Sequence, residues 1–577
     1  MTWQDTYQKW VSYESLEEHL KLQLAEMKKS EEAIEDAFYK DLTFGTGGMR
    51  GMLGPGTNRM NIYTIRKAVE GLANYLIKHT TNPQGKGVAV SYDSRYMSKE
   101  FAIETAKVLG KHGIKSYVFS NLHPTPSLSY AVRHLGAAAG VMITASHNPP
   151  EYNGFKVYNE DGGQMPPAQA EQLIKEVNAV ENELTIPYLP EHVLKEQGLL
   201  HWIGEEVDHA YLELVKRLSR WTTSEIEQPK ELNIVFTPLH GTSHDLVLKG
   251  LRQIGFDAIH VVQEQAKPDP DFSTVDSPNP EEHQAFTMAM EQGLIYGADV
   301  LIGTDPDADR LGVAVKDSNG SYQVLTGNQL GILMLDYILA HSTEEDRKKG
   351  RLIKTIVTTE MGQAVASHYG VETINTLTGF KFIGEKIKQF ESTGEKFLFG
   401  FEESYGYLAG DFVRDKDAVQ AAVIACELAE YWKRKGKTLL EALEELYELH
   451  GYYLEDMLSL TLKGKDGAER IAKIMEHIRL APFNEIAGLP VTLMEDYQSL
   501  ERINMKSGTK ETIQLPQENV LKFYLDKNSW VALRPSGTEP KVKYYFGVSS
   551  HSRIESERLL EQLKAEVNHR VHTILES

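Results

Sequence analysis

Short apolar runs typical of β-strands alternate with helical patterns over most of the chain. In the first third, "GVAVSYDSR" and "AAAGVMITASHN" predict strands that end in polar loops, and "SKEFAIETAKVLGKHG" between them predicts a helix. The same order returns in "LNIVFTPLHG", "HDLVLKGLRQIG" and "ADVLIGTDPDADR", and again in "NQLGILMLDYILAHS", "RLIKTIVTTEMGQAVASHYG" and "EKFLFGFEESYG". Such alternation favours mixed, mostly parallel sheets covered by helices, with ligand-binding loops at the carboxyl ends of the strands. The pattern therefore predicts three α/β domains.

The pattern changes in the last part of the chain. "MLSLTLKGKDGAERIAKIMEHI", "VLKFYLDKNSWVALRPSGTEPKVKYYFGV" and a long final helical segment predict a smaller α+β domain rich in antiparallel hairpins. The polar stretches "RWTTSEIEQPKE" and "KDSNGSYQ" and the segment around "ELHGYYLEDM" indicate domain boundaries. We expect α/β domains at 1–222, 223–325 and 326–452, and the α+β domain at 453–577.

Composition narrows the classes of function. The 577 residues include 61 Lys and Arg against 82 Asp and Glu, a formal net charge of -21. A net field of that sign opposes binding to nucleic acid and to anionic membranes, so an anionic ligand needs a local cationic pocket. The single cysteine, Cys426, excludes an intramolecular disulfide and a cysteine-rich metal site. The acidic, amphipathic N-terminal segment has no signal-peptide core and no stretch reaches about 18 apolar residues, so we expect a soluble, cytoplasmic protein.

A loop rich in aspartate, "GTDPDADRLGVAV", is the first candidate for chemistry. Alternate residues of an extended segment point to one side, so Asp305, Asp307 and Asp309 are expected to converge. Three convergent carboxylates repel one another unless a cation lies among them, and hard oxygen ligands suit Mg²⁺. A solvated turn is the alternative, but the loop joins two apolar strands directly. An EF-hand does not fit, because Arg310 and Lys316 occupy the positions that need Gly and Glu.

The stretch "VMITASHNPPEYNGFKVYN" places a serine at the end of a predicted buried strand. Ser146 adjoins His147, two prolines follow, and Lys156 lies on the returning segment. A serine hydroxyl needs a base or a metal to become an effective nucleophile. If Ser146 lies beside the aspartate loop, its oxygen can complete the coordination of the metal, and the stiff Pro-Pro turn fixes its position as phosphoryl transfer requires. The alternative is an ordinary turn.

Three further loops contain groups that bind phosphate or sugar. "RPSGTEPKVK" offers a guanidinium, two hydroxyls and a closely approachable backbone for a phosphate, "FGFEESYGY" offers acceptors and a donor for sugar hydroxyls, and "FGTGGMRG" projects an arginine from a glycine-rich loop. A hairpin turn, an exposed turn and a flexible connector are the respective alternatives. The residues concerned are Arg534, Ser536, Gly537 and Thr538, then Glu402, Glu403 and Ser404, and Arg50.

The chain resembles the α-D-phosphohexomutases over nearly its whole length, and five motifs carry the resemblance: "FGTGGMRG", "TASHNP", "GTDPDADR", "FEESYG" and "RPSGTE". Within that family it is most similar to the phosphoglucomutase/phosphopentomutase branch, through "TLTGFKFI" and "GFEESYGYL". The resemblance implies four domains in a heart shape around a central cleft. It also implies Mg²⁺ bound by Asp305, Asp307, Asp309 and an oxygen of phosphorylated Ser146. The other implied site residues are Arg50, His147 and Lys156 near the phosphoserine, Arg310 next to the metal loop, Glu402 and Ser404 on the sugar loop, and Arg534, Ser536, Gly537 and Thr538 on the phosphate loop.

The implied reaction interconverts α-D-glucose 1-phosphate and glucose 6-phosphate, with glucose 1,6-bisphosphate as the intermediate and activator. The general base is His147 or Lys156. Phe401 before Glu402, and the loop "TLTGFKF", leave phosphopentomutase and phosphomannomutase as alternatives. An aspartyl-phosphate phosphatase, suggested by "VLIGTDPDAD" and "GDFVRD", and a binding protein without turnover are weaker ones. The sequence leaves the oligomeric state open.

Overall fold

The computed structural model of the protein describes residues 2–45, 47–462, 467–536 and 541–576, with only the backbone of residue 468. The chain forms two compact units. The first contains residues 1–341 and 380–438, and the second contains residues 342–379 and 439–577.

The N-terminal part of the first unit is an α/β region around a six-stranded sheet. Its strands are β1 (Met49–Met52), β2 (Val88–Tyr92), β3 (Ser116–Phe119), β4 (Ala139–Ile143), β5 (Tyr152–Asn159) and β6 (Leu200–Ile203). Its helices are α1 (Trp3–Val11), α2 (Glu18–Met27), α3 (Glu31–Phe38), α4 (Ile62–His79), α5 (Pro83–Lys86), α6 (Ser98–Lys111), α7 (Thr125–Leu135), α8 (Pro167–Asn178), α9 (Glu191–Glu196) and α10 (Glu205–Lys216), with a 3-10 turn at Glu183–Thr185.

Strand β4 lies in the interior of this sheet, whose order is β1-β5-β4-β2-β3-β6. Strands β4, β2, β3 and β6 are parallel, whereas β5 and β1 are antiparallel to their neighbours. Every residue of β2 and β4 is buried, as expected for strands covered by helices on both faces. The carboxyl ends of β2, β3 and β4 meet at one edge of the sheet, so the loops that follow them are neighbours.

Helices α1 and α3 pack together and onto this region through aromatic side chains. The ring of Trp10 lies 5.7 Å from that of Phe38 and 5.4 Å from that of Tyr63, measured between centroids. The Trp10 indole N–H donates to Glu183 Oε1 at 2.8 Å, which satisfies the polar atom of a fully buried side chain. The amphipathic N-terminal segment is therefore part of the first hydrophobic core.

The next part of the first unit is built on the sheet β11-β10-β9-β7-β8. Strand β9 pairs in parallel with β7 and in an antiparallel hairpin with β10, and the aspartate loop lies between β9 and β10. The elements are β7 (Ile234–Thr237), β8 (Ile259–Val261), β9 (Val300–Thr304), β10 (Leu311–Lys316), β11 (Tyr322–Val324), α11 (Thr223–Glu227), α12 (His244–Gln253), α13 (Gln263–Ala266) and α14 (Thr287–Tyr296), with a 3-10 turn at His283–Phe286.

The segment 327–450 contributes elements to both units. The first unit contains α15 (Gly327–Ala340), α18 (Phe380–Thr393), the antiparallel pair β14 (Lys396–Glu402) and β15 (Gly406–Leu408), and α19 (Ala418–Arg434). The second unit contains α16 (Glu344–Lys349), the parallel pair β12 (Gly350–Thr355) and β13 (Glu372–Thr376), α17 (Met361–His368) and α20 (Leu439–His450).

The C-terminal part of the second unit is an antiparallel sheet with two helices. The strands are ordered β16-β23-β22-β21-β18-β19-β20, and β17 pairs with β18. These elements are β16 (Tyr452–Thr461), α21 (Gly467–Leu480), β17 (Glu485–Ile486), β18 (Leu489–Asp496), β19 (Glu501–Asn504), β20 (Lys510–Thr512), β21 (Leu521–Leu525), β22 (Trp530–Pro535), β23 (Lys541–Ser550) and α22 (Arg553–Glu576).

The predicted fold class is confirmed, because three α/β regions with mixed sheets precede an antiparallel α+β region. Across the part of the chain that the structure describes, no helix has both the length and the apolar composition needed to cross a membrane.

Gly154 in β5 provides a test of the packing that fixes the serine loop, the segment 144–151 between β4 and β5. A Cβ at this position would lie 2.4 Å from the carbonyl oxygen of Thr144 and 3.0 Å from that of Met49. Overpacking against backbone costs about 1–3 kcal/mol. We expect Gly154→Ala to lower the temperature of the first unfolding transition in calorimetry.

The matched control is Gly163→Ala, whose Cβ would meet its nearest neighbour at an ordinary 3.5 Å. This variant should unfold at the wild-type temperature. Equal unfolding temperatures for the two variants would contradict the tight packing of β5.

Candidate active site

The aspartate loop brings three carboxylates together in the interior of the first unit. One oxygen from each of Asp305, Asp307 and Asp309 lies within 4.8 Å of the others, and all three side chains are buried. The expectation of an extended segment was wrong, because the loop is a turn. The N–H of Ala308 donates to the Asp305 carbonyl at 3.0 Å, and Ala308 has a φ of 56°. The turn is held by Asp305 Oδ1, which accepts the N–H groups of Asp309 and Arg310 at 3.0 Å.

Ser146 lies directly against this cluster. Its hydroxyl donates to Asp305 Oδ2 at 2.5 Å, and its Oγ is 3.1 Å from His147 Nδ1. The residue follows β4 in a left-handed conformation with φ 51°, and its N–H donates to Thr144 Oγ1 at 2.8 Å. A non-glycine residue in this region costs about 1–3 kcal/mol, which the surrounding structure must offset. The loop thus holds one hydroxyl at the edge of the carboxylate cluster.

Two lysines balance the charge of the cluster. Lys156 on β5 donates to Asp307 Oδ2 at 2.8 Å and lies 3.7 Å from Asp309 Oδ2. Lys416, which the sequence analysis missed, lies 3.1 Å from Asp309 Oδ2. Its position in the acidic stretch "GDFVRDKD" is the sequence signal that could have identified it as a site residue.

Thr125 and Glu281 also contact the aspartate loop or Arg310, and the sequence analysis did not identify either residue. The Thr125 hydroxyl donates to Asp307 Oδ2 at 2.9 Å, and its N–H donates to the Asp307 carbonyl at 2.9 Å. Glu281 forms an ion pair with Arg310. Thr125 begins α7, directly after the loop that follows β3, so its place at a strand end was the signal that could have found it.

Burial and mutual repulsion set the protonation of the carboxylates. Burial, followed by the charges of Asp307 and Asp309, raises the pKa of Asp305 well above its usual value. Burial also acts to raise the pKa of Asp307, but the charge of Lys156 and the surrounding hydrogen bonds outweigh it and the pKa is lowered. The site therefore disfavours the charged form of Asp305 and favours that of Asp307.

The cluster fits a divalent metal ion. Among the described residues, Oδ1 of Asp307 and Oδ1 of Asp309 are buried and have no hydrogen-bond partner. Buried carboxylate oxygens of this kind require an explanation, and hard oxygen donors suit Mg²⁺. The Ser146 oxygen is the neighbouring fourth donor.

His147 and Arg50 lie on the outer side of Ser146. Burial, together with the charges of Arg310 and Arg50, lowers the pKa of His147 well below its usual value, so its imidazole is neutral. Arg50 was expected to project from a glycine-rich loop, but it lies on strand β1 opposite Gly154. Its exposed guanidinium donates to Asn148 Oδ1 at 2.6 Å, within the serine loop.

The predicted sugar loop lies in the same unit. Glu402 ends strand β14 and is buried, and Ser404 is half-buried in the turn before β15. The carbonyl of Tyr405 accepts the N–H of Leu311 at 3.1 Å, so this turn contacts the end of the aspartate loop.

The predicted phosphate loop belongs to the second unit. Arg534 is half-buried near the end of β22, opposite Lys543. The N–H of Ser536 donates to the Lys541 carbonyl at 2.7 Å. The predicted residues Gly537 and Thr538 lie outside the described residues.

The acidic motif "GDFVRD", which suggested a phosphatase, contributes to the packing of the first unit. Asp411 is exposed, whereas Asp415 is buried and accepts hydrogen bonds from Tyr158 at 2.8 Å, Gln164 at 2.9 Å and Lys416 at 3.2 Å. Asp415 thus joins segments of the first unit.

Sequence models of one family match four parts of the chain. They are described as phosphoglucomutase/phosphomannomutase α/β/α domain I over residues 41–184, domain II over 209–320, domain III over 326–450, and the C-terminal domain over 485–563.

Similar proteins cover most of the chain. A phosphoglucomutase of Staphylococcus aureus (strain MRSA252) is 39% identical over 535 residues, which are 92% of this chain and 93% of that protein. A phosphoglucomutase of Staphylococcus haemolyticus (strain JCSC1435) is 38% identical over 515 residues, 89% of this chain and 92% of that protein. The solved structure of the open form of Paramecium parafusin, a phosphoglucomutase, has a TM-score of 0.69 at 17% identity, and the match covers 93% of this chain and 95% of that chain. At that identity, the structural likeness shows the fold. With four matching domain models and relatives of this extent, the chain belongs to the phosphoglucomutase/phosphomannomutase family, the α-D-phosphohexomutases.

Proposed function

We propose that this protein interconverts α-D-glucose 1-phosphate and glucose 6-phosphate, with Ser146 as the residue that accepts and returns the phosphoryl group. The observation that supports this most directly is the 2.5 Å contact between Ser146 Oγ and Asp305 Oδ2 inside a buried carboxylate cluster. The relatives described as phosphoglucomutases support glucose phosphates as the substrates.

The proposed reaction has two balanced transfers. In the first, the bond between phosphorus and Ser146 Oγ breaks as a bond forms to the free hydroxyl of glucose 1-phosphate, and the hydroxyl proton passes to a base. In the second, the other phosphate of glucose 1,6-bisphosphate passes to Ser146 Oγ, and the released sugar oxygen regains a proton. Both transfers depend mainly on position and on charge stabilisation.

The surroundings of the two candidate bases favour different roles. His147 is neutral because burial and nearby arginines lower its pKa, so it can accept a proton. Burial acts to lower the pKa of Lys156, but Asp307 and Asp309 outweigh it and the pKa is raised. We assign proton acceptance to His147 and charge neutralisation to Lys156 and Arg310.

Asp305, Asp307, Asp309 and an oxygen on Ser146 would hold Mg²⁺, which when bound would neutralise charge on the transferring phosphoryl group. We further propose that Glu402 and Ser404 bind sugar hydroxyls. The Arg534 guanidinium and the Ser536 hydroxyl have the chemistry to bind the phosphate that does not react. We also propose a cytoplasmic location.

The identity of the sugar is tested by comparing substrates. Purified protein with Mg²⁺ and glucose 1,6-bisphosphate should convert glucose 1-phosphate with a higher kcat/KM than mannose 1-phosphate or ribose 1-phosphate. Glucose 6-phosphate is measured by coupled dehydrogenase assay, and all three products, glucose 6-phosphate, mannose 6-phosphate and ribose 5-phosphate, are measured by ³¹P NMR. A preference for ribose 1-phosphate or mannose 1-phosphate would replace glucose in the proposal and leave Ser146 in place.

Ser146→Ala tests the phosphoryl carrier. We expect this variant to keep its fold, to incorporate no labelled phosphate from ³²P-labelled glucose 1,6-bisphosphate, and to lose at least about 10³-fold in kcat, because the nucleophile is absent. The wild-type label should resist hydroxylamine, as a serine ester does and an acyl phosphate does not.

Ser116→Ala is the matched control, since Ser116 is also buried but begins β3, at the end away from the site loops. It should retain labelling and turnover. Normal turnover of Ser146→Ala would remove Ser146 from the mechanism.

Asp307→Asn tests the metal site, because it removes one charge and keeps the shape. We expect the affinity for Mn²⁺, measured by electron paramagnetic resonance as a probe for Mg²⁺, to fall at least about tenfold. The exposed Asp411→Asn should bind Mn²⁺ as the wild type does. Equal affinities in both variants would exclude the aspartate loop as the metal site.

A further inference from the structure

Arg95, which lies just after strand β2, contacts the backbone of the serine loop. Its guanidinium donates to four backbone carbonyl oxygens between residues 146 and 152. Nη2 donates to the carbonyl of Ser146 at 2.6 Å and to that of Asn148, and Nη1 donates to those of Pro149 at 2.7 Å and Tyr152 at 3.0 Å. One side chain thus binds the backbone on both sides of the Pro-Pro turn.

The guanidinium is itself held rigidly. Asp93 lies 3.4 Å from Arg95 Nε, and both side chains are fully buried. Asp93 Oδ1 also accepts the N–H of Arg95 at 3.0 Å and the hydroxyl of Ser98 at 2.7 Å. The ring of Phe272, from the loop after α13, covers the guanidinium at 4.9 Å. Water therefore cannot replace the four hydrogen bonds easily.

We propose that Arg95 is a positioning residue for phosphoryl transfer, which fixes the left-handed backbone of Ser146 through these carbonyl contacts. Four carbonyl groups directed at one point need a donor for each, and a planar guanidinium supplies five in a fixed fork. A lysine has three donors on one nitrogen and cannot reach carbonyls on both sides of the loop. The proposal rests on the proposed role of Ser146 as the phosphoryl carrier.

Two variants separate the effect of the positive charge of Arg95 from that of its forked shape. Arg95→Lys keeps the positive charge and loses the fork, whereas Arg95→Met loses both. If the fork positions Ser146, both variants should lose a similar share of kcat, about 100-fold for a displacement near 1 Å. The residues proposed to bind the substrate, Glu402, Ser404, Arg534 and Ser536, lie outside the serine loop, so KM should stay within about threefold of the wild-type value.

The experiment compares these variants with Arg66→Lys. Arg66 is a buried arginine of the same α/β region, bonded to Glu104 at 2.7 Å, and Glu104 keeps Lys107 as a partner in the variant. For each protein, kcat and KM are measured with glucose 1-phosphate, and amide hydrogen exchange is measured over the peptide that contains residues 144–152. The N–H groups of Asn148 and Tyr152, bonded to the carbonyls of Ala145 and Pro149, report the order of this loop.

In Arg95→Lys and Arg95→Met, we expect these amides to exchange at least about tenfold faster than in the wild type, and we expect kcat to fall about 100-fold. Arg66→Lys should match the wild type in both the exchange rate and kcat. Rescue of kcat in Arg95→Lys would overturn the proposal in favour of a charge effect. A kcat loss without faster exchange, or faster exchange without a kcat loss, would also overturn it.

Failure of the proposed function would be visible separately. If wild-type protein shows neither mutase activity nor phosphorylation of Ser146, the carrier role fails. Hydrogen exchange then still decides whether Arg95 orders the loop, and unchanged exchange in Arg95→Lys would overturn the positioning role as well.

Discussion

Three carboxylates buried within 4.8 Å of one another repel strongly, because the surrounding protein screens their charges far less than water does. The first unit meets this constraint with cations from separate segments. Lys156 comes from the antiparallel strand β5, and Lys416 comes from the connection between β15 and α19. These pairs join the aspartate loop to its neighbours, so the fold of the unit and the charge balance of the site depend on each other.

A second constraint concerns the backbone of Ser146, the proposed phosphoryl carrier. Ser146 is placed in a conformation that non-glycine residues avoid, and its loop is held by Thr144, Arg95 and the packing of Gly154 against the Thr144 carbonyl. Strain of this kind persists only where the surroundings over-determine the backbone. Its result is a hydroxyl fixed at the edge of a metal-binding cluster, which is the preorganisation that phosphoryl transfer requires.

The sequence predicted most of the secondary structure and the meeting of Ser146 with the aspartates. Both predictions rest on local patterns, namely buried strands such as β4 and loops at the carboxyl ends of strands. The secondary structure at Arg50 was predicted wrongly, because its glycine-rich neighbours suggest a loop whereas pairing with β5 makes it a strand residue. Thr125, Lys416 and the four carbonyl contacts of Arg95 were missed because they join residues distant in sequence, and contacts to backbone oxygens leave no pattern in the residue types they contact.

The hydrogen bond from Ser146 to Asp305 joins the serine loop to the aspartate cluster. The hydroxyl proton of Ser146 lies in this bond, and Asp305 is one of the three clustered carboxylates. Attachment of a phosphoryl group removes that proton and adds negative charge beside three carboxylates, which raises the demand for a cation at the same place. If Ser146 carries the phosphoryl group as proposed, its phosphorylation and the binding of a cation by the aspartates would favour each other at Asp305, while Lys156 and Lys416 lie against Asp307 and Asp309.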